Sequence, residues 1–274
     1  MANQTDNGQL PTADDIAAFQ RDGAVVLRHA VSKHWQEQLA AAIERDIENP
    51  GPFFNGYQTG SGRFHGNLRL WESDDDFKAY CFRSPLPAMA AKFLASDKIN
   101  LFYDQLFVKE PGTPQPTRWH NDQPYWPVRG WPVMSFWLAL DPVTRQSGGM
   151  EFIAGSHKWD RWFQPSAFAE GGDSYEPGPG YEDIPDFDAE RGNHTVLSWD
   201  MDPGDVIAFH ALTVHGAGGN LRSDVRRRGY VVRYCGRDAV YYGGPGPNAG
   251  LRNAALSDGM ALDSGQYPVV WAAS

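Results

Sequence analysis

Two hydrophobic periods divide the chain near residue 98. In "SKHWQEQLAAAIERDIE", Trp35, Leu39, Ile43 and Ile47 recur one helical turn apart, which predicts an amphipathic helix stopped at Pro50. In "LPTADDIAAFQRDG", Thr12 is placed to cap a helix ahead of Asp14 and Asp15, with Ile16 and Phe19 as its apolar pair. "AVVLRHA" reads as a short strand between the two. "DDFKAYCFRSPLPAMAAKFLAS" predicts one or two further helices, interrupted around Pro85 and Pro87. Residues 51–70 read as loop or irregular strand, and residues 1–10 as a loose tail.

After residue 98 the period shortens. "INLFYDQLFVKE", "VMSFWLALD", "MEFIAGSH", "HTVLSWDM", "DVIAFHALTVH" and "GYVVRYCG" are aromatic or β-branched runs separated by Gly, Pro, Asn or Asp. No long helical pattern alternates with them, which argues against a parallel doubly wound sheet. A series of short strands after a helical first third predicts a mainly β fold, an antiparallel sandwich or jelly roll buttressed by helices. The Gly/Pro-rich residues 170–188 read as a lid or insertion, because strands of the same character resume beyond them.

Composition narrows the function. The chain has 274 residues and a formal net charge of -10, a poor match to nucleic acid or an anionic membrane. Many of the ten Trp, 11 Tyr and 15 Phe are expected in the core, and such a supply also suits an apolar pocket with polar tips. With only Cys81 and Cys235, a disulfide framework or thiolate metal cluster is not expected. The N-terminal residues lack the pattern of a signal peptide and no apolar run reaches membrane-spanning length, so the cytoplasm is the expected location.

Candidate chemistry lies in "RWHNDQPYWPVRG". His120 and Asp122 are two residues apart, a spacing that on a strand turns both side chains to one face. A third metal ligand would come from a distant strand, and "FHALTVHGAGGN" offers His215 beside a glycine-rich turn, with His210 as its rival. Two histidines and one carboxylate form the facial arrangement of non-haem Fe(II) oxygenases. His157 reads as a hydrogen-bonding or surface residue, and His29 and His34 have no acidic partner at ligand spacing. In "VRRRGYVVRYCGR", strand alternation turns at least one of Arg226, Arg227, Arg228, Arg233 and Arg237 inward.

Taken in order, "DQLFVKEPG", "WHNDQPYWPVRG", "FWLALDPVTRQSGGMEFIAGSHK" and "VHGAGGNLRSDVRRRGY" resemble the phytanoyl-CoA dioxygenase-like family of Fe(II)- and 2-oxoglutarate-dependent oxygenases, over roughly residues 15–240. The resemblance implies a single domain over residues 1–274 with a double-stranded β-helix (jelly roll, cupin-like). It also implies Fe(II), 2-oxoglutarate and O2 as cofactor and co-substrates. Matched residue by residue, His120, Asp122 and His215 fall on the iron ligands. Arg226, eleven positions after His215, falls on the arginine that clamps the far carboxylate of 2-oxoglutarate. Trp137 falls on an aromatic lining that pocket, and Gln105 and Asn121 on polar pocket residues. Ala217 departs from relatives that place Ser there. Retention of Asp122 favours oxidation over halogenation, which in related enzymes uses a small residue at that position.

The reaction expected is hydroxylation of an unactivated C–H bond in a small, apolar or ring-containing metabolite. Desaturation, ring rearrangement or epimerisation on the same scaffold is the alternative. Phe53, Phe54, Tyr57, Tyr125, Trp126, Trp159, Trp162 and Phe163 are expected around the mouth, with Arg161 or Arg129 available for a substrate carboxylate. No basic cluster outside the Arg226 region suits coenzyme A phosphates, so an acyl-CoA substrate is not expected. A non-catalytic cupin-like metal or ligand-binding protein would differ in leaving Arg226 in solvent.

Overall fold

The computed structural model describes residues 9–56, 61–167 and 175–273. The helical first third forms as its periodicity predicts. Helix α1 (Ala13–Asp22) starts at Thr12, whose hydroxyl accepts from the Asp15 amide while the Asp15 carboxylate accepts from the Thr12 amide. Helices α2 (Lys33–Glu48), α3 (Asp75–Arg83) and α4 (Leu86–Phe93) follow, the last two divided at the Ser84-Pro85 step.

Fourteen strands among the described residues complete the fold. In chain order they are β1 (Ala24–Leu27), β2 (Asn55–Gly56), β3 (Phe64–Leu68), β4 (Lys98–Lys109), β5 (Thr117–His120), β6 (Val128–Arg129) and β7 (Val133–Ala139). Then come β8 (Met150–Ile153), β9 (Val196–Ser198), β10 (Val206–His210), β11 (His215–Ala217), β12 (Arg227–Gly236), β13 (Val240–Tyr241) and β14 (Val269–Ala272). The large sheet runs β1-β10-β7-β12-β4-β3-β2, with β14 also on β4, and the smaller sheet runs β5-β11-β8-β9. All these strand pairs are antiparallel. This is the helix-buttressed jelly roll expected.

Strand alternation divides the large sheet into two faces. Met134, Phe136, Leu138, Tyr230, Val232 and Tyr234 pack with Leu39, Ile43, Phe77 and Met89 of the helices. Trp137, Ala139, Ile207, Phe209 and Val231 point the other way and meet Phe152 of the small sheet. A bulge between Arg233 and Tyr234, opposite Tyr103 and Leu101, leaves Phe102 as an extra residue. Tyr103, Gln105 and Phe107 thereby face the interior of the sandwich, while Leu106 and Val108 stay with the helices.

Asp104 is a charge-bearing exception on the helix side. It is fully buried, accepts from Tyr230 Oη at 2.5 Å and from the Trp71 amide at 3.0 Å, and leaves Oδ1 without a partner among the described residues. Burial pushes its carboxyl up to about 7 against these hydrogen bonds. The folded state therefore favours the protonated form, and this group's contribution to stability is lost as pH rises from the unfolded value near 4 to about 7. Asp104→Asn should gain on wild type by roughly 3 kcal/mol between pH 5 and pH 8. Urea unfolding of both proteins at the two pH values measures this, and a pH-independent difference would contradict it.

Candidate metal centre and oxygenase cavity

His120 closes β5 and His215 opens β11, and the two residues are direct cross-strand partners. Their rings stand 4.2 Å apart between centroids. Asp122 reaches the same point by a different route from the strand alternation expected. It lies beyond the end of β5 in helical conformation, and the amides of Asp122 and Gln123 both donate to the Ala211 carbonyl. Asp122 Oδ1 lies 3.5 Å from His120 Nε2 and 3.9 Å from His215 Nε2. One ligand atom from each of the three residues lies within 4.8 Å of the others, and all three side chains are buried.

The surrounding backbone fixes which nitrogens face the centre. His120 Nδ1 donates to the Arg118 carbonyl at 2.8 Å, and His215 Nδ1 to the Thr213 carbonyl at 2.9 Å. A carbonyl can only accept, so each ring carries its proton on Nδ1 and presents the Nε2 lone pair. Burial, then the neighbouring His120, lowers His215 to about 4, so it stays neutral at physiological pH. Burial opposes the charged form of Asp122, yet Arg233, His120 and His215 outweigh it and hold the carboxyl well below its usual range. Ser135 Oγ donates to Asp122 Oδ2 at 3.4 Å, which leaves Oδ1 for the metal. Two Nε2 atoms and one carboxylate oxygen converging on one point fit Fe(II). His210 is not part of this site. Its Nε2 donates to the Trp131 carbonyl and its Nδ1 accepts from the Leu212 amide, and burial lowers it to about 3.

The triad opens on a cavity of about 680 Å³. Trp137 and Gln105 line it, as expected, and so do Phe53, Phe54, Tyr125 and Trp126. Tyr57 lies outside the described residues, as does part of the 170–188 segment; Tyr175 lines the cavity. Several expectations need correction. Asn121 is buried but turns from the cavity, donating to the Arg161 carbonyl and accepting from the Phe163 amide. Trp159 and Phe163 belong to a separate apolar cluster with Phe187, and Trp162 stacks on Tyr181. Arg161 pairs with Glu182, and Arg129 donates to Tyr181 Oη with its guanidinium over the Tyr242 ring; neither lines the cavity.

The most consequential correction concerns Arg226. It points out of the cavity and is held by Glu44 and Glu110 at 2.7 and 2.9 Å. Its neighbour Arg227 lies on the opposite face of β12 and lines the cavity at 3% exposure. Arg227 Nη1 makes a long bond to the Phe107 carbonyl, its Nε has no partner among the described residues, and its guanidinium lies 5.7 Å from the Trp137 ring. Burial pulls it down to about 10, still charged at neutral pH. Lys109, directly across the strand pair, donates to the Gly218 carbonyl, and burial followed by Arg227 lowers it to about 6. Arg227 is therefore the dominant cation at this end. Gly229 makes room for Trp137, since a Cβ there would come within 2.3 Å of the indole. A buried, half-satisfied guanidinium beside an aromatic wall fits a carboxylate of 2-oxoglutarate. Arg233, also on the inner face, lines the cavity next to Asp122; residue order offers it as one of five arginines able to face inward but assigns it no role. Both inward arginines share parity with Val231, which pairs with Trp137; that parity was the available signal.

A jelly roll carrying two histidines, a carboxylate and an inward arginine beside one cavity defines the class of Fe(II)- and 2-oxoglutarate-dependent oxygenases. Residues 19–229 match the model of the phytanoyl-CoA dioxygenase (PhyH) family, and the chain belongs to that family. It is 26% identical to the multifunctional dioxygenase prhA of Penicillium brasilianum, over 83% of this chain and 73% of that one. It is 23% identical to the peroxisomal phytanoyl-CoA dioxygenase of Mus musculus, over 81% of this chain and 68% of that one. Among solved structures it is similar to the non-haem α-ketoglutarate-dependent carbocyclase SnoK from nogalamycin biosynthesis (TM-score 0.75, 21% identity, 94% and 96% of the two chains). The epimerase SnoN from the same biosynthesis gives 0.74 at 20% identity, over 94% and 97%. EctD from S. alaskensis with 2-oxoglutarate and 5-hydroxyectoine gives 0.70 at 19%, over 94% and 88%. The protein is an enzyme that uses Fe(II) and 2-oxoglutarate on a small substrate.

The ligand assignment is checked by cobalt(II) titration followed by its visible spectrum. Wild type should take up one ion per chain. His215→Ala should weaken binding by more than about 100-fold, since even the outer partners of metal ligands are worth 10- to 100-fold. His210→Gln should bind as wild type does.

Proposed function

We propose that this enzyme removes hydrogen from a C–H bond of a ring-containing small molecule, with Arg227 as the anchor of 2-oxoglutarate. The observation that carries the reading is the joint placement of the triad, Arg227 and Trp137 around one aromatic-walled cavity. The rival of a non-catalytic binding protein was to be recognised by an outward Arg226. Arg226 does face outward, but Arg227 supplies the inward guanidinium one residue on, so the rival loses that support.

Iron and 2-oxoglutarate, when bound, supply the oxidising chemistry, in which decarboxylation to succinate accompanies loss of a substrate hydrogen. The chain's residues do the rest. His120, Asp122 and His215 would hold iron from one side, with Ser135 orienting the free oxygen of Asp122. Arg227 would bind the far carboxylate, and Trp137 would wall that end against water. Tyr125, Trp126 and Leu68 line the cavity and are available to pack against substrate.

The fate of the substrate carbon is a finer matter. The likeness to SnoN and SnoK favours bond reorganisation, epimerisation or ring closure, as the leading reading. The likeness to EctD, solved with a hydroxylated compound, supports hydroxylation as the second. Turnover under 18O2 separates them: hydroxylation adds one labelled oxygen to the product, whereas epimerisation or ring closure adds none.

The anchor is tested by anaerobic titration of the Fe(II) protein with 2-oxoglutarate, followed by the metal-to-ligand charge-transfer band. Arg227→Gln should weaken 2-oxoglutarate by at least about 30-fold while retaining iron, as expected when one partner of a buried charge pair is lost. Arg226→Gln should change it by less than about two-fold, because that residue forms only a partly exposed ion pair. The reverse order would overturn the assignment.

A further inference from the structure

We propose that Arg233 is a substrate-anchoring residue and that the substrate carries a single negative charge, as a carboxylate or another anionic oxygen, on a ring-containing body. The inference rests on the reading of this site as an iron and 2-oxoglutarate cavity.

Arg233 lines the cavity at 4% exposure, yet its Nε and Nη1 have no hydrogen-bond partner among the described residues. Its guanidinium lies 4.3 Å from the Tyr103 ring centroid and 5.4 Å from that of Trp126. These contacts hold the cation by its faces and do not satisfy its N–H groups. The nearest carboxylate oxygen is Asp122 Oδ2, 3.9 Å from Nε, beyond hydrogen-bonding range. A buried guanidinium kept in this condition is costly unless a ligand completes it.

Charge balance gives the ligand its sign and size. Among the described residues, the buried wall of the cavity carries three fixed charges: Asp122, Arg227 and Arg233. Asp122 and dianionic 2-oxoglutarate together match divalent iron and one arginine. The other arginine is left without a counter-charge among the described residues. Arg227 and Arg233 lie six residues apart on one strand face, roughly 20 Å along the chain, so the carboxylate that Arg227 holds is not the partner of Arg233. At the rim, Glu176 and Arg252 are opposite in sign. The remaining positive charge sits at the triad, where Tyr125, Trp126, Leu68 and Leu251 form the apolar wall. A ring-bearing monoanion matches both the charge and the wall. An anionic group seated on Arg233 lies beside Asp122, so the bond attacked is only a few atoms from that group.

The test uses a matched pair of probes, indole-3-acetate and indole-3-acetamide, which differ by the charge. The protein is loaded with Zn(II) and saturated with N-oxalylglycine, so that Arg227 is occupied and no turnover occurs; binding is read by titration calorimetry. Wild type should bind the acetate tighter than the acetamide by about ten-fold or more, the size of a charge-assisted hydrogen bond. Arg233→Gln should abolish the preference while binding N-oxalylglycine, and Arg233→Lys should keep part of it. Equal affinities in wild type, including no measurable binding of either probe at millimolar concentration, would overturn the proposal. So would a preference that survives in Arg233→Gln. Failure of N-oxalylglycine to bind wild type would instead overturn the co-substrate reading beneath it.

Discussion

The pairing of β12 between β4 and β7 is the constraint on which the functional architecture depends. Ladder hydrogen bonds on both edges leave this strand no freedom to slip, because a shift of one residue would exchange its two faces. Tyr230, Val232 and Tyr234 must meet the helices, so Arg227, Gly229, Val231 and Arg233 must meet the cavity. The same register puts Arg226 and Arg228 on the outer side, where Glu44, Glu110 and Asp141 neutralise them. A run of basic residues is thereby sorted into cations already satisfied by the protein and cations kept for ligands.

The metal centre rests on a similar economy of backbone. Adjacent strands bring His120 and His215 together, carbonyls two residues upstream set both imidazoles, and the Ala211 carbonyl turns Asp122 toward them. Preorganisation of this kind spares iron the cost of ordering three side chains. Burial then does two opposing things. It keeps His215 neutral and ready to donate a lone pair, and it makes the charge of Asp122 tenable only with positive neighbours. Arg233 is one of these neighbours, so substrate recognition and metal retention meet at one guanidinium.

Much of this was legible from residue order, and the failures have local causes. The four-residue period of Trp35, Leu39 and Ile43 and the cap at Thr12 directly predict helices, since both depend on near neighbours. The triad was legible through its motifs, although Asp122 reaches the metal through a turn and not through strand alternation. Arg226 was misassigned because counting eleven positions from His215 does not fix strand parity, and the register of β12 turns Arg227 inward and Arg226 outward. Asn121 and Trp159 sit within the right segments yet spend their side chains on holding loops and filling a separate core.

By itself, the order of residues determined the helical third, the short strands, the metal-binding triad and the membership of an oxygenase family. Each depends on periodicity, capping or the order and spacing of motifs, information that does not require the register of distant strands. Only the tertiary structure decided which arginines face the cavity, which aromatic residues wall it and which charges remain uncompensated. Those properties depend on strand register and on burial against distant segments. The energetic character of Arg227 and Arg233 exists only once β4, β7 and the surrounding aromatic residues have closed around them.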